Sequence, residues 1–319
     1  MPAVTGEWGD GSIMQKGTQQ MLDKILGAYG YGIALFSLPT LQNFLKTEKI
    51  RSKKLLTKFQ KDKDLYLRTQ EQGIFLPIVQ IDAGGYIIRL DGTDEPFDKE
   101  WELKLEYDGF NINVQDSLCV SDLEQLDFFD TEKLDQYESA AHTMDHKTYY
   151  NSFKYDVPSG KYLVSVKGYA RKGATGHSSS RERAEYGFLF SLVKTETFDG
   201  FKNPRESELY EFNIAWLTRS REAVIQWFPA EDGGLKNPPT EEEYYAAIQF
   251  EEESYCSLHI QFDRKNPSPD KMTDHCRVGI LWKNTLDDLL DSGQEHILYS
   301  ETQKRGKKQY QKIGKMTMI

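Results

Sequence analysis

Between Trp101 and Tyr107 every second residue is apolar (Trp101, Leu103, Leu105, Tyr107), and Glu102, Lys104 and Glu106 fill the gaps. Side chains of a strand alternate between its two faces, so this pattern makes a strand with one buried face and one wet face. Such a face needs a partner layer, and a sandwich supplies one. The same chemistry recurs as an internal echo. Gly84-Gly-Tyr-Ile-Ile-Arg-Leu-Asp-Gly92 matches Gly160-Lys-Tyr-Leu-Val-Ser-Val-Lys-Gly168 as Gly-x-Tyr-apolar-apolar-x-apolar-charged-Gly. Each copy follows a turn, DAGG or VPSG, and reads as the second arm of a β-hairpin. Glu185 to Val193 continues the strand register after the turn GATGHSSS. The expected fold is α+β and mainly β, with an antiparallel β-sandwich-like core.

Apolar spacing of three and four residues marks the N-terminal part as helical. Met21, Ile25 and Leu26 begin it, and Leu41, Phe44, Leu45, Leu55, Leu56 and Phe59 continue it to about Lys63. The lysines of KIRSKKLLTKFQKDK then form the wet face of a helix rather than a nucleic-acid site. In the last third, Glu211 to Leu217 alternates as a strand, and Tyr244 to Phe250 with Tyr255 to Phe262 form a hairpin. The basic tail from Lys304 to Lys315 reads as frayed. These signals divide the 319 residues into a helical region (1–72), an antiparallel β domain with an acidic helical insertion (73–203) and a C-terminal β-rich α+β region (204–319).

Charge is unevenly distributed. From Asp91 to Asp145 there are 17 Asp or Glu and 3 Lys, a formal charge of −14 in a chain of −10, which leaves the rest slightly basic. Ser121-Asp-Leu-Glu124 has capping-box spacing, and Asp130 is placed to cap a second helix reaching about Ala141. Like charge opposes compaction, so acids interleaved with aromatics suit a positively charged partner. Candidate contact residues are Asp127, Phe128, Phe129, Asp130, Glu132, Asp135, Tyr137 and Glu138. Phe128, Phe129 and Tyr137 serve as anchors and the acids as steering groups, with a place in the core as the alternative for the aromatics.

No metal or cofactor is expected. Glu138, His142 and His146 would align on a helix, but His142-Thr-Met-Asp-His146 has Asp145 where an inverted zinc-protease motif needs Glu. Cys256 alternates with Leu258, Ile260 and Phe262 toward one strand face, and His259 points to the other, so these two cannot share one ion. No phosphate loop, dinucleotide fingerprint, nucleophile elbow or His-Glu-x-x-His occurs. No window is long and apolar enough for a membrane helix. Three widely spaced cysteines and an N-terminus without a basic start and an apolar run lead to the expectation of a cytoplasmic location.

Over Tyr155-Asp-Val-Pro-Ser-Gly-Lys-Tyr-Leu-Val-Ser-Val-Lys-Gly168 and Tyr186-Gly-Phe-Leu-Phe-Ser-Leu192 the chain resembles bacterial proteins that inhibit a co-encoded toxin or nuclease. These are the immunity proteins of interbacterial toxin systems and the competence-type nuclease inhibitors with a β-sandwich. The resemblance implies a non-enzymatic cytoplasmic protein that occludes a basic toxin, with no direct contact to nucleic acid or membrane. It assigns no functional residue, because those families bind through individually varied surfaces. Two other classes stay open. One is a hydrolase with a noncontiguous carboxylate site, to be recognised by a cleft with shifted carboxylates. The other is a carbohydrate-binding or structural β-sandwich, to be recognised by exposed aromatics around Trp101, Trp216 and Trp227.

Overall fold

The computed structural model describes residues 25–128, 141–144, 147–176, 184–252, 254–263, 272–281, 287–291, 293–304 and 306–319. It is mainly β, as the alternation requires, with two β units and a helical layer. One unit is a sandwich. Its larger sheet has seven strands in the order β5 (Trp101–Val114), β10 (Gly160–Arg171), β11 (Tyr186–Thr195), β4 (Gly84–Leu90), β1 (Ile25–Ala28), β8 (Lys147–Tyr150) and β7 (Ala141–Met144). Its smaller sheet has four: β3 (Phe75–Val79), β2 (Gly32–Phe36), β6 (Ser117–Asp122) and β9 (Ser152–Asp156). Most pairs are antiparallel, but β11 with β4 and β1 with β8 run parallel, so the larger sheet is mixed rather than antiparallel.

The smaller sheet is buried on both faces. Ile33 and Leu35 of β2, Leu76 and Ile78 of β3, and Leu118 and Val120 of β6 meet the larger sheet through Tyr86, Phe110, Val164 and Phe188. The intervening Ala34, Phe36, Phe75 and Cys119 face three helices instead. These helices are α1 (Leu38–Thr47), α2 (Leu55–Lys61) and α3 (Lys63–Glu71). Pro39 is tolerated because it stands in the first turn of α1, where amides lack intrahelical acceptors. Asp62 caps α3 by accepting from the Leu65 amide at 3.1 Å. Leu41, Phe44, Leu55 and Phe59 pack inward as the helical spacing requires. The helical reading fails before them, since Ile25 and Leu26 lie in β1, and Met21 is outside the described residues. A strand covered on both sides has no wet positions, so its unbroken apolar run mimics a buried helix turn.

The two echoed segments are strands but not hairpin arms. The strand before each turn belongs to the smaller sheet and the strand after it to the larger, so both turns are crossings between sheets. β3 pairs with β2 while β4 pairs with β1 and β11. β9 pairs with β6 while β10 pairs with β5 and β11. At both crossings the motif tyrosine closes the corner in the same way. Tyr86 Oη donates to the Asp82 carbonyl at 2.7 Å and Tyr162 Oη to the Pro158 carbonyl at 2.6 Å, each four residues back. Both rings are buried, so the bond spares each hydroxyl an unpaired place in the core.

The second unit is a closed six-stranded barrel in the order β12 (Arg221–Trp227), β15 (Thr273–Ile280), β14 (Ser254–Phe262), β13 (Glu243–Glu251), β16 (Glu295–Lys304) and β17 (Lys307–Met318), which returns to β12. Trp227, Ile248, Leu258, Ile260, Val278, Leu298 and Met316 fill its interior. The expected hairpin from Tyr244 to Phe262 is present as β13 and β14. Two expectations are corrected. The segment Glu211 to Leu217 is no strand, because Asn213 accepts from the Trp216 amide at 3.0 Å and opens a short helix, α4 (Ile214–Arg219). The tail Lys304 to Lys315 is not frayed but belongs mostly to β17, whose residues 314–318 pair with β12 and close the barrel.

Helix α4 joins the units. Ile214 and Ala215 enter the sandwich core, whereas Trp216 lies against the barrel. A Cβ on Gly279 would stand 2.5 Å from the Trp216 ring, so only glycine lets the indole approach β15. Trp216 Nε1 donates to Gln261 of β14 at 2.8 Å, and Arg219 binds Asp82 at 2.8 Å.

Candidate functional site

Two exposed aromatics stand at the two ends of one 3-10 helix. Tyr31, in the turn between β1 and β2, and Phe128, after the 3-10 helix Leu123–Asp127, are each 65% exposed. Exposed rings held in place by their neighbours are available to a partner at little cost in conformational freedom. Tyr31 also holds a left-handed backbone, φ 54°, which a side chain with a Cβ disfavours by about 1 kcal/mol.

Asp122 fastens the two pieces together. Its Oδ1 accepts from the Gly30 amide at 3.1 Å and the Glu124 amide at 3.3 Å, and its Oδ2 accepts from the Tyr29 amide at 3.3 Å. The carboxyl therefore caps the 3-10 helix and holds the β1–β2 turn against it. A Cβ on Gly30 would come within 2.6 Å of the Glu124 Cβ, so the turn sits directly on the helix N-terminus. Burial pushes the Asp122 carboxyl up to about 6, against the three amides, which pull it down. The other end of the 3-10 helix is equally fixed. Leu123 and Leu126 enter the core under the helices, and Asp127 accepts from the Thr57 amide at 2.8 Å and from the Thr57 hydroxyl. Asp127 thus serves as a cap for α2 supplied from a distant part of the chain.

Of the contact residues expected from sequence, Phe128 stands exposed at this edge and Asp127 stands beside it, half-buried and engaged with Thr57. Phe129, Asp130, Glu132, Asp135, Tyr137 and Glu138 lie outside the described residues, as does the second expected helix. Ala141, where that helix was expected to end, begins β7, and His142 lies in the same strand. His146 is outside the described residues, and the helical alignment of Glu138, His142 and His146 is lost at the strand. Tyr31, Asp122 and Glu124 had no place among the sequence candidates. The capping-box spacing pointed to the right turn but credited Ser121, whose hydroxyl instead binds the carbonyls of Asp122 and Asn151.

The acidic stretch is not one patch. Asp91 accepts from Ser191, Glu106 pairs with Lys167 at 2.9 Å and Asp108 with Lys202 at 2.8 Å, all around the larger sheet. Asp122 and Asp127 belong to the smaller sheet and its helical layer, beside the lysine-rich α2.

Cys256 is buried in the barrel core, and His259 points outward between Trp216, at 4.7 Å, and Tyr245, at 5.0 Å. Burial lowers the His259 imidazole, with Glu243 opposing that shift. Trp101, Trp216 and Trp227 are all buried, so none offers an exposed ring for a sugar. Burial raises a second carboxyl, Glu211, which accepts from the Asn213 amide at 2.7 Å. A cleft of about 370 Å³ beside the junction is lined by Glu208, Glu222, Glu242, Asp263, His275 and Arg277, and neither Asp122 nor Glu211 lines it. Among the described residues no group of three His, Cys, Asp or Glu could hold a metal ion, and no helix is long and apolar enough to cross a membrane. No protein family's profile, no curated protein and no solved structure matches the chain.

Proposed function

We propose that this chain acts by binding: it neutralises a positively charged protein partner, a co-encoded toxin or nuclease in the reading drawn from the resemblance. The Tyr31–Phe128 edge is the contact surface. The observation that carries this is the hydrogen bonding of Asp122 and Asp127 at the two ends of the 3-10 helix that precedes Phe128, whose ring stays in water. A preorganised aromatic gives up little conformational freedom on binding and suits the centre of an interface. Glu124, exposed at the same turn, and the neighbouring Asp130 and Asp135 of the sequence supply the electrostatic steering.

Association kinetics with the toxin domain encoded beside this chain's gene test the proposal. Phe128→Ala should accelerate dissociation by roughly thirtyfold, the counterpart of about 2 kcal/mol for a buried anchor. Glu124→Lys with Asp130→Lys should slow association and weaken its salt dependence, with a smaller effect on dissociation. If both folded variants bind and protect like the parent, this edge is not the interface.

A further inference from the structure

The hairpin of β16 and β17 outruns the barrel that it closes. β13 pairs with β16 only at Leu298 and Tyr299, so from Ser300–Gln311 to Lys304–Lys307 the two strands have only each other. The base of this ribbon is braced on both faces. Tyr255 stacks on Tyr310 at 3.7 Å, and Gln311 Nε2 donates to the Gly233 carbonyl at 2.8 Å. Facing residues share a side in an antiparallel pair, which gives the ribbon two unlike faces. On one, Glu301 satisfies both Lys308, at 2.9 Å, and the Tyr310 hydroxyl. The other carries Thr302 opposite Gln309 and, at the tip, Lys304 opposite Lys307.

Two like charges directly across a ladder destabilise it, and neither lysine has a carboxylate partner among the described residues. An anion at the tip relieves that repulsion. The sequence adds to it: Lys304-Arg-Gly-Lys-Lys308 places four cations in five residues, and no apolar side chain lies between Ser300 and Gln309. A polar, cationic ribbon without an apolar ring lacks the anchors of a protein interface. Its dimensions suit a nucleic-acid groove. Two strands about 4.8 Å apart enter a major groove about 12 Å wide. Three residue pairs beyond Glu301 extend about 10 Å, enough for its depth of about 8.5 Å.

The geometry points to the tip of the β16–β17 ribbon as a binding element for double-stranded DNA, with Lys304 and Lys307 leading into the groove and Thr302 and Gln309 following at its mouth. The chain as a whole carries −10, so the contact is local and strongly salt-dependent.

The test is fluorescence anisotropy of a fluorescein-labelled duplex of about 20 base pairs titrated with the full chain at about 50 mM and about 200 mM salt. Saturable binding is expected at the lower salt, weakening steeply at the higher. Lys304→Glu with Lys307→Glu should weaken it tenfold or more, whereas Lys53→Glu with Lys54→Glu, the same charge change on the helical layer, should weaken it less than threefold. Lys304→Glu alone puts opposite charges across the ribbon, so it should keep or raise the melting temperature while affinity falls. That result separates binding from folding. The assignment is overturned if the parent shows no saturable binding at the lower salt or if the two double variants lose affinity equally. It is also overturned if polyglutamate at equal charge concentration displaces the duplex completely, since the partner would then be an acidic polypeptide.

Discussion

The sandwich and the barrel solve the same problem, the satisfaction of strand hydrogen bonds, by opposite means. The barrel closes its ladder, and among the described residues its interior is apolar apart from Asp274, which accepts from Trp227 Nε1 at 2.8 Å. The sandwich keeps open edges and crossings, and there it buries polar groups such as Ser37, Asn111, Ser121 and Asp122. Each of these ties a turn or a strand end to another element: Ser37 to Gln115, Asn111 to the Gly200 carbonyl, Ser121 to the Asn151 carbonyl, and Asp122 to Tyr29, Gly30 and Glu124. An interior that must fix turns can also hold an aromatic in water. The closed unit pairs its strands around the ring, and the one stretch of its ladder without a further neighbour is the hairpin that overshoots it.

This contrast can be broken by experiment. The largest effect belongs to Trp227→Ala, which empties the barrel centre and removes the donor to Asp274, at about 3–5 kcal/mol. Hydrogen exchange should show barrel amides losing protection while the β4, β10 and β11 amides keep theirs; equal loss in both would mean that α4 makes them one cooperative unit.

Next comes the pH response of the sandwich. A carboxyl raised from 3.8 to about 6 binds its proton more tightly in the folded state. Its contribution is full below the ordinary carboxylate value, falls as pH rises through about 6 and is constant above. This is opposite to that of an ion-paired carboxylate. The difference in unfolding free energy between the parent and Asp122→Asn, measured by urea titration, should therefore change by roughly 2–3 kcal/mol between pH 4 and pH 7, with the parent losing relative stability as pH rises. A difference independent of pH would remove Asp122 from this role.

The corner tyrosines are expected to contribute less. Tyr86→Phe and Tyr162→Phe should each cost about 1 kcal/mol, and their double variant the sum, since each closes its own crossing. A double variant no worse than either single would show that only one corner matters. The smallest change carries the opposite sign. Tyr31→Gly relieves a left-handed residue and should stabilise the chain by about 0.5–1 kcal/mol while weakening partner binding. A destabilised Tyr31→Gly would mean that the ring supports the fold rather than an interface.

How much of this was readable without coordinates depended on the range of the interaction. Alternation in Trp101–Tyr107 and in Tyr255–Phe262 is local, and both segments are strands. A register shift between Leu103 and Leu105 leaves Leu103 exposed and sends Trp101 and Leu105 into different clusters, so the single buried face expected there is not present. The turns DAGG and VPSG were also legible as turns, but a hairpin and a crossing between sheets use the same turn residues; what differs is the partner strand, which lies elsewhere in the chain. The β17 strand was hidden because its four lysines match its four apolar residues in number, and its buried Ile313, Met316 and Met318 acquire meaning only against β12. At the site, Phe128 was visible as an aromatic among acids. Asp122 and Tyr31 were not, since one acid of many became the buried one and a turn tyrosine shows its exposure only after the strands on either side are placed.

The closure of the barrel bears on how the chain is made. Strand β12 waits for its partner from residue 223 until residues 314–318 have left the ribosome, an interval of roughly ninety residues. At a synthesis rate of about 5–20 residues per second that is on the order of five to twenty seconds, during which an unpaired strand edge is open to other chains. The nascent protein is thus most vulnerable to aggregation late in its synthesis, when the sandwich already has all its strands. A chaperone acting on it would act on the barrel half.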